Sequence, residues 1–300
     1  MSNKVLTGID ENGHATVMLN RPEVHNAFDH EMVEALTAAL KALGAQADVR
    51  SVVLIGAGES FCAGADIAHM KQSASFSKKQ NYQAALDTAR MLHTLYTLPK
   101  PTVACVRGAV RGGGCGLVAA CDIAVASRTA TFRLSEVKLG IIPAMIGPYV
   151  VAAIGSRMSQ RYMLTGEEFD CAEAFRIGLV HDIAEDEHLN AKIGELLAHL
   201  YTSGPNAMAA VKTLIPVSAK AAIGEEMVQA TAQLIADLRA TPEAQEGLSA
   251  FLEKRTTPWT SPAGTTSAAQ PAKRTGTQKK QPRASNAPRG SRKKKPATRK

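Results

Sequence analysis

Apolar and polar residues alternate at the start of the chain and then recur at helical spacing. Residues Val5–Ile9 and 15–19 alternate on either side of a polar turn, a pattern that predicts a half-buried β-hairpin. Asp29 follows, and behind it apolar residues recur every three or four positions: Met32, Val33, Leu36, Leu40 and Leu43. This spacing predicts a helix with Asp29 as its N-cap and Gly44 as its end.

Uninterrupted apolar runs predict buried strands further along the chain. These runs cover residues 51–56, 102–106 and 123–126, and one more strand is predicted over 131–134. An amphipathic helix is predicted over 78–97, where two prolines end it, and a short apolar helix over 117–121. From residue 143 to about 255 the pattern is mainly helical. Strands that alternate with helices, followed by helices alone, predict an α/β fold with a helical C-terminal part.

Composition divides the chain at residue 255. Residues 256–300 contain 12 of the 35 Lys and Arg residues and no Asp or Glu, which leaves residues 1–255 with a net charge of −4. This last segment has few apolar residues, so we expect it to be disordered. Its basic residues either aid solubility or contact nucleic acid weakly through phosphates. We therefore predict a core domain over 1–200, a helical region over 201–255 and a basic tail over 256–300.

Signals for export, membrane insertion and metal binding are missing from the sequence. The number of cysteines, five, is odd, and no pair has the C-x-x-C spacing of a metal or redox site. No apolar run approaches the roughly 18–20 residues of a membrane span, and the first residues lack the apolar core of a secretory signal. The sequence therefore predicts a cytoplasmic protein with reduced thiols and no metal site.

Two loops of small residues carry the candidate chemistry. Residues 61–66 follow one predicted strand, and residues 112–114 follow the next one. Backbone N–H groups in such loops are unobstructed, and two that converge form an oxyanion hole for the charge that develops on a thioester carbonyl. The same glycines are also compatible with close helix–strand packing alone. A nucleotide-binding loop is disfavoured, because the sequence has no G-x-x-x-x-G-K-[ST] motif.

Five segments in order resemble the enoyl-CoA hydratase/isomerase (crotonase) superfamily. The segments are NRPEVHNA (20–27), SFCAGADI (60–67), VRGAVRGGGCGL (106–117), SEVKLGIIP (135–143) and EGLSAFLEKR (246–255). The resemblance covers roughly residues 5–255. Within the superfamily, residues 134–151 and 161–180 are most similar to bacterial methylglutaconyl-CoA hydratase-like members.

The resemblance implies a fold, an assembly and a set of site residues. The fold would be a crotonase-like spiral of β-β-α units with a helical C-terminal trimerisation region, assembled as a homotrimer or hexamer. The N–H groups of Ala65 and Gly113 would form the oxyanion hole, and Glu136 would be the acid/base. Coenzyme A, as part of the substrate and not a separate cofactor, would contact Val24, His25, Ala27, Ala63, Ala65, Asp66, Ile67, Phe251 and Lys254. Phe251 and Lys254 would serve a neighbouring subunit's ligand, and Asp66 would also hold its own loop.

One position departs from the family pattern. Hydratases of this family carry a first glutamate three residues after the central oxyanion glycine, and this chain has Gly116 there. The resemblance implies a hydratase for a branched 2-enoyl-CoA such as 3-methylglutaconyl-CoA, whose second carboxylate would pair with Arg111, Arg133 or Lys138. Gly116 keeps two alternatives open: an enoyl-CoA isomerase with one glutamate, and a catalytically reduced homologue that binds CoA or nucleic acid.

Overall fold

The computed structural model describes residues 3–220 and 222–260. In these residues the strands are β1 (Val5–Ile9), β2 (His14–Leu19), β3 (Ser51–Gly56), β4 (Thr102–Val106), β5 (Ala109–Arg111), β6 (Ile123–Ser127), β7 (Thr131–Arg133), β8 (Glu168–Asp170) and β9 (Asp182–Ala184). The helices are α1 (His30–Ala45), α2 (Ile67–Ser73), α3 (Lys78–Tyr96), α4 (Gly113–Ala120), α5 (Gly147–Thr165), α6 (Cys171–Arg176), α7 (Leu189–Tyr201), α8 (Pro205–Lys220), α9 (Glu225–Arg239) and α10 (Pro242–Glu253). The predicted hairpin, the helix after Asp29 and the four later strands are confirmed to within a residue or two at each end.

The chain winds between two sheets. One has the strand order β1-β2-β3-β4-β6-β9, and the other has the order β5-β7-β8. Strand β4 pairs in parallel with β6, and β5, which follows β4 directly, pairs in parallel with β7, which follows β6 directly. The circuit from β4 to β7 therefore adds one strand to each sheet, as in the predicted spiral of β-β-α units.

Both faces of the larger sheet are covered by helices. In β4, Ala104 and Val106 face a core cluster that includes residues of α1, α3 and α4. Val103 and Cys105 face a second cluster, which α7 completes with Leu189. Neighbouring residues of a strand point to opposite faces, so a strand covered on both faces is apolar throughout. This is why β4 is recognisable in the sequence as an uninterrupted apolar run.

Helix α4 begins four residues earlier than the sequence pattern predicted. The expected start was Leu117, but the helix starts at Gly113, directly after Gly112 with φ +47° and ψ −115°. Glycine adopts this conformation readily, and it turns the chain from β5 into the helix. The glycine run lacks apolar side chains, so its helical state gives no periodic signal. The consequence is that Gly113 lies at a helix N-terminus.

The C-terminal helices follow close to the predicted division at residue 200. Helix α7 packs on the larger sheet and ends at Tyr201, and α8, α9 and α10 come after it. The predicted start of the disordered tail at residue 256 was too early, because Pro258–Thr260 form a 3-10 turn whose Trp259 indole N–H donates to the Thr202 carbonyl over 3.2 Å. The rest of the predicted tail lies outside the described residues. No helix of the described part of the chain is long and apolar enough to cross a membrane.

Candidate active site

An early turn of the chain packs against the first small-residue loop. His25 and Asn26 have φ of +52° and +57°, and the buried amide of Asn26 donates to the carbonyls of Ala57 and Ser60 over 2.9 and 2.8 Å. The Ala63 N–H donates to the His25 carbonyl over 2.8 Å. The turn that holds Val24, His25 and Ala27 therefore lies beside the loop that holds Ala63, Ala65, Asp66 and Ile67. The structure brings together these seven predicted coenzyme A contacts.

An ion pair between Arg21 and Asp66 fixes this arrangement. Arg21 Nη2 lies 2.8 Å from Asp66 Oδ2, and both side chains are largely buried. The other carboxylate oxygen accepts the N–H groups of Ala68 and His69 and so caps α2. Burial by itself raises the pKa of Asp66, but the hydrogen bonds from His69, Arg21 and Ala68 outweigh it and hold the pKa below its ordinary value. Asp66 thus holds the loop as predicted, whereas the sequence analysis missed Arg21, whose only signal was its place in the NRPEVHNA segment.

The two small-residue loops are joined edge to edge. The Cys62 N–H donates to the Ala109 carbonyl over 3.2 Å, and the Arg111 N–H donates to the Cys62 carbonyl over 2.9 Å. A Cβ built on Gly64 would lie 3.3 Å from the backbone nitrogen of Gly113. The absence of a side chain at Gly64 therefore lets the first loop approach the backbone of Gly113 closely.

The N–H groups of Ala65 and Gly113 are available for a ligand. Phe28 pairs with the residues on both sides of Ala65, since its N–H donates to Gly64 and its carbonyl accepts from Asp66. Within the described residues, neither Ala65 nor Gly113 donates its N–H to a protein acceptor. Gly113 is the first residue of α4, where the helix dipole adds partial positive charge. The pair can therefore bind a carbonyl oxygen that gains negative charge.

The carboxylate of Glu136 lies against the start of the same helix. A Cβ built on Gly112 would be 3.1 Å from Glu136 Oε1. The other oxygen, Oε2, is buried and has no hydrogen-bond partner among the described residues. Burial raises the pKa of Glu136 above its ordinary value. A carboxyl group with a raised pKa is suited to take up and return a proton.

The position of the family's first glutamate is filled by another side chain. A Cβ built on Gly116 would overlap Cγ2 of Ile146 and lie 2.7 Å from its Cβ. Ile146 is buried, with 3% of its surface exposed. The nearby Asp122 does not supply a second carboxylate, because it binds the Lys212 ammonium over 2.6 Å and the Thr102 N–H over 2.7 Å.

Two of the three basic residues proposed for a second substrate carboxylate are already engaged. Arg111 lies 2.6 Å from Glu168, and the Arg133 Nε–H donates to the Gly166 carbonyl over 2.7 Å. Lys138 is exposed on the same 3-10 turn as Glu136, and within the described residues no carboxylate pairs with it. Of the three, Lys138 is therefore the one whose side chain has no carboxylate or carbonyl partner among the described residues.

The last two predicted coenzyme A contacts lie apart from the loops. Phe251 is 80% exposed at the end of α10, and Lys254 is the exposed C-cap of that helix. Helix α10 packs against α9 and, through Gly247, against Trp259. Within one chain these two residues do not face Ala65 or Gly113, so their role towards a neighbouring subunit's ligand stays a prediction.

The geometry is that of a candidate oxyanion hole in an α/β fold, with a buried carboxylate oxygen next to it. Comparison with known proteins names the family: the family model described as enoyl-CoA hydratase/isomerase matches residues 10–262, and the chain belongs to this family. It is 38% identical to an enoyl-CoA hydratase from Shewanella pealeana, whose crystal structure matches with a TM-score of 0.83 over 86% of this chain and 96% of that chain. It is 36% identical to AtuE of Pseudomonas aeruginosa, with a TM-score of 0.82 over 86% of this chain and 100% of that chain. It is also 31% identical to the 2,3-dehydroadipyl-CoA hydratase of Escherichia coli, over 79% of this chain and 91% of that protein.

Proposed function

We propose that the chain is a hydratase that adds water to a 2-enoyl-CoA thioester or removes it, with Glu136 as the acid/base. The observation that carries this proposal is the desolvated Glu136 carboxylate beside two N–H groups that donate to no acceptor in the described residues. A carboxylate next to Gly112 and two N–H groups without a protein acceptor fit a thioester carbonyl whose α carbon exchanges a proton.

One carboxylate can serve both proton transfers of the hydration. The thioester oxygen accepts hydrogen bonds from the N–H groups of Ala65 and Gly113. Glu136 takes a proton from water as the water oxygen bonds to the β carbon, and the electrons of the double bond move to the thioester oxygen. Glu136 then returns that proton to the α carbon, and the enolate collapses to the 3-hydroxyacyl thioester.

Coenzyme A enters as part of the substrate, and the proposal needs no other cofactor. The joined turn and loop support binding by Val24, His25, Ala27, Ala63 and Ile67. The exposed apolar side chains of the C-terminal helices support a homotrimer or hexamer: Val211, Ile215, Val217, Val228, Ile235, Leu248, Phe251 and Leu252. Light scattering after gel filtration measures the mass that distinguishes three copies from six. The five buried free cysteines are compatible with the reducing cytoplasm, where we place the enzyme.

We propose a branched acyl group with a second carboxylate, such as 3-methylglutaconyl-CoA. Lys138, on the same turn as Glu136, supports it as a cation for that carboxylate. The similar Escherichia coli protein is named for a 2,3-dehydroadipyl group, which also carries a second carboxylate. A basic residue that can reach the far end of the acyl group would favour acyl groups with an acidic end.

A specific observation favours a second candidate, an enoyl-CoA isomerase. Isomerisation needs one carboxylate, which removes a proton from one carbon and returns it two carbons away. The site has only Glu136 within reach in the described residues, since Ile146 fills the space beside Gly116. The oxyanion hole would hold the intermediate dienolate.

Absorbance of the conjugated enoyl thioester distinguishes the candidates. The purified protein is mixed with crotonyl-CoA, 3-methylglutaconyl-CoA and a 3-enoyl-CoA in separate cuvettes. Loss of the band with either 2-enoyl substrate supports hydration. Growth of the band from the 3-enoyl substrate alone supports isomerisation. No change with any of the three would contradict both and favour the homologue that only binds CoA or nucleic acid.

A further inference from the structure

Glu136 and Ile146 both contact the start of helix α4. The Glu136 carboxylate lies against Gly112, the N-cap, and the Ile146 side chain lies against Gly116, four residues later. Ile146 therefore packs against the helix whose N-cap contacts Glu136.

The side chain of Ile146, and not its backbone, blocks position 116. A Cβ on Gly116 would overlap Cγ2 of Ile146 and lie 2.7 Å from its Cβ, but 3.7 Å from its Cα. The last distance is ordinary van der Waals contact. Ile146 is the N-cap of α5 and follows the glutamate-bearing turn by only a few residues, so the same segment supplies both the acid/base and the residue that blocks α4.

We propose that Ile146 is a specificity-determining residue that keeps the site to one proton-transferring group. Its side chain occupies the place that any side chain at position 116 would need, and it leaves an apolar surface where a second carboxylate or a second water would otherwise sit. Every proton transfer then falls to Glu136. The catalytic consequence of this inference rests on the proposed function. The packing part, which is the claim that Ile146 blocks position 116, rests only on the contact between Ile146 and Gly116.

The packing part is tested by whether Gly116→Ala raises or lowers the folding equilibrium constant. Alanine in place of glycine inside a helix ordinarily raises the folding equilibrium constant about fivefold. A Cβ built on Gly194 in α7 would meet no atom within 4 Å, so Gly194→Ala is the matched control and should show this gain. Gly116→Ala should instead lower the constant about tenfold, because the added methyl group overpacks against Ile146.

Removal of the Ile146 side chain should turn the loss of stability caused by Gly116→Ala into a gain. In an Ile146→Gly background, Gly116→Ala should be stabilising, as at Gly194. If Ile146→Gly is too unstable to measure, Ile146→Ala keeps the 2.7 Å contact and loses the overlap, so the penalty of Gly116→Ala should shrink without changing sign. An equal penalty in every background would overturn the proposal.

The double variant Gly116→Glu with Ile146→Gly tests the catalytic part. It should gain a second ionisation in the pH profile of kcat/KM and raise the ratio of hydration to isomerisation about tenfold or more. Gly116→Glu alone should show neither change. A folded double variant with the parent's profile and ratio would overturn the catalytic part. If the parent protein turns over no acyl-CoA in the panel, the proposed function fails, whereas the stability measurements still decide the packing claim.

Discussion

The Glu136 carboxylate lies directly over the backbone of Gly112, so that a Cβ on Gly112 would be 3.1 Å from Glu136 Oε1. The next residue, Gly113, offers one of the two N–H groups that are free for the substrate carbonyl. One short stretch of backbone thus sets the proposed acid/base and one proposed oxyanion donor relative to each other. The proposed function therefore depends on the absence of side chains at Gly112 and Gly113.

Gly112→Ala should impair both folding and catalysis. Gly112 has φ +47° and ψ −115°, a conformation that costs a non-glycine residue about 1–3 kcal/mol. The added methyl group would also press on Oε1 of Glu136. Gly140→Ala is the control, since Gly140 has φ +73° but open space around it. Chemical denaturation should show a loss in both variants, but only Gly112→Ala should also lower kcat. A variant at Gly112 with full kcat would contradict the contact with Glu136.

Glu136→Gln should remove most turnover and leave binding intact. Glutamine has nearly the same shape but cannot accept and return a proton, so kcat should fall about 100- to 10,000-fold. The dissociation constant for CoA, measured by calorimetry, should change little, because the proposed CoA contacts lie elsewhere. The exposed Glu11→Gln is the control and should behave as the parent. Retained turnover in the Glu136 variant would refute its role.

The same Glu136→Gln variant should be more stable than the parent near neutral pH. Burial raises the pKa of Glu136, so its ionised form is worse accommodated in the folded protein than in the unfolded chain. The parent therefore loses stability as pH rises from the ordinary value of 4.5 through the raised folded value. The unfolding temperature of Glu136→Gln should exceed that of the parent near neutral pH, and this difference should disappear at pH values below that range. A constant difference at every pH would point to a cause other than ionisation.

Asp66→Asn should destabilise the first loop in a pH-dependent way. The substitution removes the ion pair with Arg21 and weakens the cap of α2, at a cost of about 1–3 kcal/mol. The hydrogen bonds hold the pKa of Asp66 below its ordinary value, so its stabilisation is complete above about pH 4 and is lost as pH falls through the lowered folded value. Thermal unfolding at neutral and acidic pH measures this. The exposed Asp48→Asn should show no such trend.

Truncation should locate the end of the stable domain after residue 260, not at 255. The Trp259 carbonyl accepts a hydrogen bond from Arg50 Nη1 over 2.6 Å, and its ring lies against Gly247. A chain that ends at 260 should unfold at the parent's temperature. A chain that ends at 255 should unfold at a lower one, because Arg50 loses an acceptor and α10 loses apolar contact. Equal unfolding temperatures for the two would show that these contacts contribute nothing.

Much of this site was predictable because its signals are local. The small-residue loops, the position of Glu136 and the missing glutamate at Gly116 are visible along the chain, and the apolar runs predicted the strands that support them. The N-cap role of Asp29 is of the same kind, since a cap is decided within one helical turn. A contiguous motif carries such information without reference to the rest of the fold.

The sequence pattern by itself determined the strands, the helices and the two loops of small residues, and the resemblance of its motifs to the family added the spiral of β-β-α units. Only the tertiary structure decided that Arg21 pairs with Asp66, that Ile146 fills the space beside Gly116 and that Trp259 belongs to the folded domain. Each of these is a contact between residues distant in sequence. Such a contact depends on where the chain returns after a circuit of the spiral. The periodicity of apolar residues shows which face of a helix or strand is buried. It does not show which side chain from elsewhere in the chain packs against that face.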